Sequence, residues 1–121
     1  MNIAIVGLGR IGTEFFSEIV SLKDKGIHIV AVAELADTPG KKIASELGIN
    51  IKNSNAIATM GETLDIIFDL SGNSEVRKEL RSILQKENNY HTTIFPETFI
   101  NLLWSVMTDK LLPDVHEHKG Y

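Results

Sequence analysis

Three glycines near the amino terminus, Gly7, Gly9 and Gly12, have the spacing G-x-G-x-x-G. This spacing arises readily by chance and is weak on its own. Between a buried strand and a helix, however, the first glycine permits a tight turn, the second lets a diphosphate approach the backbone, and the third lets the helix approach the sheet. Free amides and the partial positive charge at the helix start then attract the diphosphate. The candidate chemistry is therefore dinucleotide binding, and the surrounding elements decide whether it applies.

Those surroundings fit the motif. An apolar run over residues 2–6 precedes Gly7, and a second apolar run over residues 27–33 ends just before Glu34, 22 positions after Gly12. This is close to the spacing expected for a carboxylate that accepts hydrogen bonds from the adenosine ribose. Such a carboxylate repels a 2′-phosphate, so Glu34 favours NAD over NADP, unless it is simply an exposed acid.

A second polar segment, Ser71-Gly72-Asn73, follows another apolar run. Gly72 would let the backbone approach the nicotinamide ribose, and Ser71 or Asn73 could hydrogen-bond it. Asn73 could equally cap the helix that follows, which such residues do without any ligand. Both interpretations stay open.

The elements around these motifs alternate between strands and helices. Strand-length apolar runs are continuous, as expected for strands covered on both faces. The predicted fold is α/β, a doubly wound parallel five-stranded sheet of order 3-2-1-4-5, the Rossmann type. The five predicted strands are residues 2–6, 27–33, 49–52, 64–70 and 91–95. Residues 1–112 form the predicted dinucleotide-binding domain and residues 113–121 a polar tail.

Between the strands, apolar residues recur at helical spacing. The second helix is predicted to begin at Thr38 and Pro39 and to end at Gly48, a left-handed stop. A short helix is predicted within residues 54–60, and the last one runs from Pro96 to about Lys110. The expected buried positions of helices one, two and four are Ile11, Phe15, Ile19, Leu22, Ile43, Ala44, Leu47, Val76, Leu80, Ile83 and Leu84.

The composition of the chain excludes several kinds of partner. The 121 residues have a formal charge of −4, so nothing draws the chain to nucleic acid or an anionic membrane. Without cysteine there is no disulfide, thiolate nucleophile or cysteine-ligated metal. No apolar run reaches about 18 residues and no secretory leader is visible, so we expect a cytoplasmic protein with no membrane partner.

The runs NIAIVGLGRIG, IVAVAELADTPGKKIASELGI and LDIIFDLSGN resemble the cofactor domain of several dehydrogenase families. These are the glucose-fructose oxidoreductase and inositol dehydrogenase type, aspartate dehydrogenase and homoserine dehydrogenase. The resemblance covers about residues 1–95 and implies NAD(P) binding, not one particular reaction. The positions that it implies for the cofactor are Gly7, Gly9, Arg10, Ile11, Gly12, Glu34, Ser71 and Gly72, to which the residue-level argument adds Asn73.

The chain departs from these enzymes after the fifth strand. The sugar dehydrogenases commonly have Glu-Lys-Pro there, whereas this chain has Phe95-Pro96-Glu97 and no lysine. The later segment also resembles, more loosely, NAD-binding-like domains that precede sensor or kinase modules in bacterial signalling proteins. The prediction is a stand-alone NAD(H)-binding domain with a regulatory or sensory role. The alternative is the cofactor-binding half of an oxidoreductase completed by another chain or subunit.

A hydride-transfer enzyme also needs a proton donor or acceptor beside the nicotinamide. His28 and His91 should lie at the amino ends of their strands, away from the binding edge. Glu97 is the titratable group predicted near the switch point, although a carboxylate in a first helical turn needs no catalytic explanation. His116 and His118 in the tail are not expected to bind a metal. We therefore assign no catalytic residue and predict no metal site.

The last helix is apolar nearly all round, more than packing on a sheet requires. Its surplus apolar surface would suit a homodimer or partner domain, with Trp104 and Met107 in the interface. Deep burial within the domain itself is the equally weighted alternative. The apolar residues of this helix, around residues 99–112, are Phe99, Ile100, Leu102, Leu103, Trp104, Val106, Met107, Leu111 and Leu112.

Overall fold

A computed structural model describes residues 1–107 of the chain. Its centre is a parallel sheet of five strands in the order β3-β2-β1-β4-β5, which confirms the predicted topology. The strands are β1 (Asn2–Val6), β2 (His28–Ala33), β3 (Asn50–Ile51), β4 (Ile66–Asp69) and β5 (Thr93–Pro96). The helices are α1 (Arg10–Val20), α2 (Pro39–Glu46), α3 (Ser54–Ala58), α4 (Ser74–Lys86) and α5 (Glu97–Met107), with a 3-10 turn at Lys23–Lys25.

The register brings the carboxyl ends of the central strands to one edge of the sheet. Val6 of β1 lies opposite Ala33 of β2 on one side and Asp69 of β4 on the other. The turns that follow these three strands therefore meet above the middle of the sheet. This is the switch point, where consecutive connections leave β1 and β4 in opposite directions.

Both faces of the sheet are covered, which explains the continuous apolar strands. Alternate residues of β1 point to opposite faces, Ile3 and Ile5 to one and Ala4 and Val6 to the other. The hydrophobic core on the face of Ile3 and Ile5 is the first core, and the one on the face of Ala4 and Val6 is the second. Helices α1, α2 and α5 contribute to the first core, and α3 and α4 contribute to the second. Four phenylalanines cross the first core in a row, with ring centroids 4.3 to 5.9 Å apart: Phe15, Phe68, Phe95 and Phe99.

Helix α2 begins and ends as predicted. The Thr38 hydroxyl accepts from the Lys41 amide at 3.2 Å, and Gly48 has a φ of 74°. The expectation that Ile43 and Leu47 are buried was wrong, because both side chains are exposed, Leu47 to 55%. Contact with the core is made instead by two small residues of α2, Gly40 and Ala44, four positions apart on one face. These small residues let α2 approach the core closely, and its larger residues Ile43 and Leu47 lie on the exposed side of the helix.

Helix α5 is part of the domain core. Trp104 is only 2% exposed and packs with Ile100 against the first face of the sheet. The expectation that Trp104 lies in a dimer interface is therefore wrong, since its ring is already covered by its own chain. The exposed apolar residues of α5 are Leu102 and Val106. The side chain of Met107, together with Leu111, Leu112, the two tail histidines and residues 113–121, lies outside the described residues.

The amino edge of the sheet holds the two remaining histidines, as predicted. His28 is exposed at the start of β2, and His91 precedes β5. The His91 ring nitrogen lies 2.7 Å from the carboxylate of Asp65, which also accepts from the Asn2 amide at 2.7 Å. These contacts tie the starts of β1, β4 and β5 together. In residues 1–107, no helix is both long and apolar enough to span a bilayer.

Candidate functional site

The glycine turn links β1 to α1 directly. Gly7 follows the last residue of β1 and has a φ of 101°, which only glycine adopts readily. A Cβ on Gly7 would also lie 2.6 Å from the carbonyl carbon of Leu70 in the turn after β4. Gly7 is therefore required for the turn itself and for its contact with the neighbouring turn.

Gly9 and Gly12 are glycines for different reasons. A Cβ on Gly12 would overlap the carbonyl oxygen of Gly7, so Gly12 lets the helix fold back onto the turn. Among the described residues, a Cβ on Gly9 would have no atom within 4 Å other than those of its chain neighbours. No contact within residues 1–107 therefore requires glycine at this position, which is the expected property of a glycine that makes room for a ligand.

The start of α1 is open toward the same space. Gly9 is the N-cap and provides no side-chain cap, and the first turn contains no acidic residue. The first helical hydrogen bond runs from the Thr13 amide to the Gly9 carbonyl at 2.8 Å. The amides before Thr13 have no acceptor within the helix, as at any helix start, and give this end a partial positive charge.

Glu34 follows β2 and joins two loops. Its Oε1 accepts from the Leu8 amide at 2.6 Å, and its Oε2 accepts from the Ala36 amide at 3.0 Å. The carboxylate therefore fixes the middle of the glycine turn to the β2–α2 loop. It is partly exposed and lies beside the open helix start.

A cleft of about 600 Å³ runs along this edge of the sheet. Its size falls within the range of small-molecule sites. Of the nine residues predicted for the cofactor, eight line it: Gly7, Gly9, Arg10, Ile11, Gly12, Glu34, Ser71 and Asn73. Gly72, with a φ of 69°, lies in the same turn as Ser71 and Asn73 but is not part of the lining.

The turn after β4 is held by buried charge. Asp69 is fully buried, and its Oδ1 accepts from the Ser71 amide at 3.1 Å and from the Ser71 hydroxyl at 2.6 Å. Its Oδ2 accepts from Nε of Arg77 on α4 at 3.1 Å. Asn73 caps α4, since its Oδ1 accepts from the Glu75 amide at 2.9 Å. The capping interpretation of Asn73 thus holds, and Asn73 is also one of the residues that line the cleft.

Sequence reasoning missed the outer wall of the cleft. Leu35, which is 96% exposed, follows Glu34, and residues 51–54 complete the wall from β3 to the start of α3. Lys52 in this segment places a second cation beside the cleft in addition to Arg10. Glu97 begins α5 directly after β5, as predicted, but it is not among the residues that line the cleft. In the described residues, no three potential metal ligands come together.

The sequence matches no family model and no curated protein. Solved structures do share the fold. A protein described as an NADP oxidoreductase from Bacteroides fragilis is 15% identical, with a TM-score of 0.55 over 78% of this chain. Homoserine dehydrogenase from S. aureus is 20% identical, with a TM-score of 0.55 over 88% of this chain. The scyllo-inositol dehydrogenase from Lactobacillus casei, solved with NAD(H) and scyllo-inositol, is 15% identical, with a TM-score of 0.50 over 88% of this chain.

These likenesses establish the class of fold. The chain has a Rossmann-like α/β fold, in agreement with the strand order and the glycine turn. It spans 35%, 28% and 41% of the three solved chains in the same order, so most of each of those proteins has no counterpart here. At these identities the likeness concerns architecture, and function must be argued from the cleft.

Proposed function

We propose that this chain binds a nicotinamide dinucleotide in the cleft at the carboxyl edge of its sheet. The observation that carries the proposal is the meeting of an open helix start, an unobstructed Gly9 and the Glu34 carboxylate around one cleft of suitable size. The diphosphate would lie on the turn from Gly7 to Gly12. The adenosine ribose would lie beside Glu34, and the nicotinamide end beside Ser71.

Glu34 supports NAD as the preferred form. Each carboxylate oxygen accepts one backbone amide and has a second lone-pair site for a ribose hydroxyl. A 2′-phosphate in the same place would face this negative charge and weaken the hydrogen bonds to the backbone. Arg10 and Lys52 also border the cleft, so the preference for NAD is expected to be moderate and not absolute.

Calorimetric titration with NAD, NADH, NADP and NADPH tests binding and preference together. We expect heat with the nicotinamide dinucleotides and tighter binding of the forms without a 2′-phosphate. No heat with any of the four at millimolar ligand would refute dinucleotide binding. Equal or tighter binding of NADP and NADPH would refute the assigned role of Glu34 alone.

We further propose that the chain binds NAD(H) as a regulatory or sensory domain. The site would offer a turn for the diphosphate and a carboxylate for the ribose, whereas Glu97, the proton-transfer candidate named from the sequence, is not among the residues that line the cleft. The alternative is the cofactor half of an oxidoreductase. It is favoured by solved neighbours in which a domain of this fold occupies only a minor part of the chain. The lack of cysteine fits a reducing compartment, and we propose the cytoplasm.

We propose that a second copy of this chain or a partner domain contacts α5 on the side that exposes Leu102 and Val106. In the sensory role, this contact would change when the cofactor binds. Two tests separate the roles. Steady oxidation of NADH by the purified chain with a small carbonyl compound would favour the enzyme, whereas a change in sedimentation on adding NADH without turnover would favour the sensor.

A further inference from the structure

Asp69 is a buried carboxylate whose purpose the proposed function does not explain. Its side chain is fully buried, yet it lies at the end of β4 beside the cleft. Burying a charge is costly unless it is paired and hydrogen-bonded. Asp69 meets both conditions through Arg77 and through the two donors of Ser71. An apolar residue would have filled the same volume without these requirements, so the arrangement points to a role in the turn.

The geometry determines what the Ser71 hydroxyl can offer. At 2.6 Å from Asp69 Oδ1, the hydroxyl must donate its only hydrogen to the carboxylate. The Asn73 carbonyl, at 3.5 Å, is a much weaker competitor for that hydrogen. The Ser71 oxygen itself accepts from the Asn73 amide at 3.2 Å and keeps one lone-pair site. Toward the cleft, Ser71 is therefore a hydrogen-bond acceptor and not a donor.

Arg77 makes this polarity stable. Its Nε donates to Oδ2 of Asp69, so the carboxylate is balanced by a charge from α4 and its other oxygen is left for Ser71. The Arg77 side chain is three-quarters buried in this position. A carboxylate held in this way cannot rotate away from the serine hydroxyl without breaking this partly buried ion pair.

We propose that Asp69 is a positioning residue that fixes Ser71 as an acceptor for a ligand hydroxyl or amide N–H on the opposite side of the glycine turn from Glu34. In a dinucleotide, that donor belongs to the second ribose or the carboxamide. The inference rests on the proposed function, because it assigns the nicotinamide end of the same site. It predicts that the cleft recognises the two ends of the dinucleotide independently, the adenosine end through Glu34 and the nicotinamide end through Ser71.

Titration of each variant with NADH and with ADP tests the separation. ADP carries the diphosphate and the adenosine ribose but lacks the second ribose and the carboxamide. Ser71→Ala should lower the affinity for NADH about fivefold to tenfold, the usual effect of one lost hydrogen bond. Its affinity for ADP should stay within about twofold of the wild type. Ser71→Thr keeps the hydroxyl and should retain most of the NADH affinity.

Asp69→Asn should also weaken NADH selectively, because an amide can present its oxygen to Ser71 or to Arg77 but not to both. The matched control is Asp65→Asn, which removes a carboxylate near the other end of the same strand and should leave the NADH-to-ADP ratio unchanged. If Asp69→Asn does not fold, Ser71→Ala decides, since Ser71 is only partly buried.

The outcomes distinguish the two proposals. If the wild-type chain binds neither NADH nor ADP, the proposed function fails and the inference fails with it. If the wild type binds both ligands but folded Ser71→Ala keeps its NADH-to-ADP ratio, the inference alone is overturned. A selective loss of NADH in Ser71→Ala and Asp69→Asn, rescued in Ser71→Thr, establishes it.

Discussion

Replacing Gly9 with alanine isolates ligand binding from folding. Apart from its chain neighbours, the added methyl group would touch no atom of the described residues within 4 Å, and Gly9 has a φ of −74° in the extended region, which alanine also adopts. Loss of glycine flexibility in the unfolded chain stabilises the variant by about 0.4–1 kcal/mol. Alanine is a poorer N-cap than glycine by a similar amount. We therefore expect the free energy of unfolding of Gly9→Ala to stay within about 1 kcal/mol of the wild type.

Binding should respond very differently. The methyl group would stand between the start of α1 and the diphosphate, which would then lose at least one hydrogen bond from a backbone amide. Hydrogen bonds to charged groups contribute about 1.5–3 kcal/mol. This corresponds to a loss of affinity for NADH of roughly tenfold to a hundredfold.

The assay is calorimetric titration with NADH beside urea unfolding of the same samples. Gly48→Ala is the matched control, because Gly48 also has open space around its missing Cβ but has a φ of 74° and lies away from the cleft. It should lose about 1–2 kcal/mol of stability and keep its affinity for NADH. A folded Gly9→Ala protein that binds NADH as tightly as the wild type would place the diphosphate elsewhere.

Three further changes test other parts of the molecule. Glu34→Gln should cost about 1 kcal/mol of stability, because its NH2 group must face one of the two backbone amides, Leu8 or Ala36, that donate to the carboxylate. In titrations, it should lower the affinities for NADH and ADP equally. The pKa of Asp65 lies below its ordinary value of 3.8, chiefly because the amide at residue 2 donates to it. The stabilisation that Asp65 gives the folded state is therefore complete above that value and is lost as the pH falls below it. In urea unfolding from about pH 6 to about pH 3, the free energy of unfolding should fall less steeply in Asp65→Asn than in the wild type. Trp104→Ala should lose about 3–5 kcal/mol in urea unfolding, whereas Leu102→Ala should change stability by less than about 0.5 kcal/mol; similar losses in both would contradict the packing of α5.

The sequence was sufficient for the architecture because its signals are local. Continuous apolar runs mark β1, β2 and β4, and the glycine pattern marks the turn from β1 to α1. The Thr38 cap and the Gly48 stop follow from side-chain and backbone chemistry within a few residues. Strand order then follows from the few topologies that such an alternation permits.

What the sequence did not reveal depends on contacts between distant elements. Asp69 and Arg77 are eight positions apart, one on a strand and one on a helix, so no helical or strand periodicity links them. Trp104 lies in a helix that is apolar on nearly every side, and such a pattern does not indicate which side meets the sheet. Lys52 follows a strand of only two residues, too short for its end to be located precisely. In each case the tertiary arrangement decided the outcome.

Under the role proposed for Glu34, the hydrogen bond from the Leu8 amide to its carboxylate couples cofactor preference to the shape of the glycine turn. Admitting a 2′-phosphate would require a neutral or basic side chain in place of Glu34. The same substitution would leave the Leu8 amide without its acceptor. The substitution would therefore pass through a destabilised intermediate unless a second change first provided another acceptor for that amide. Altered preference in this scaffold is expected to require paired substitutions, one at residue 34 and one that reaches the glycine turn.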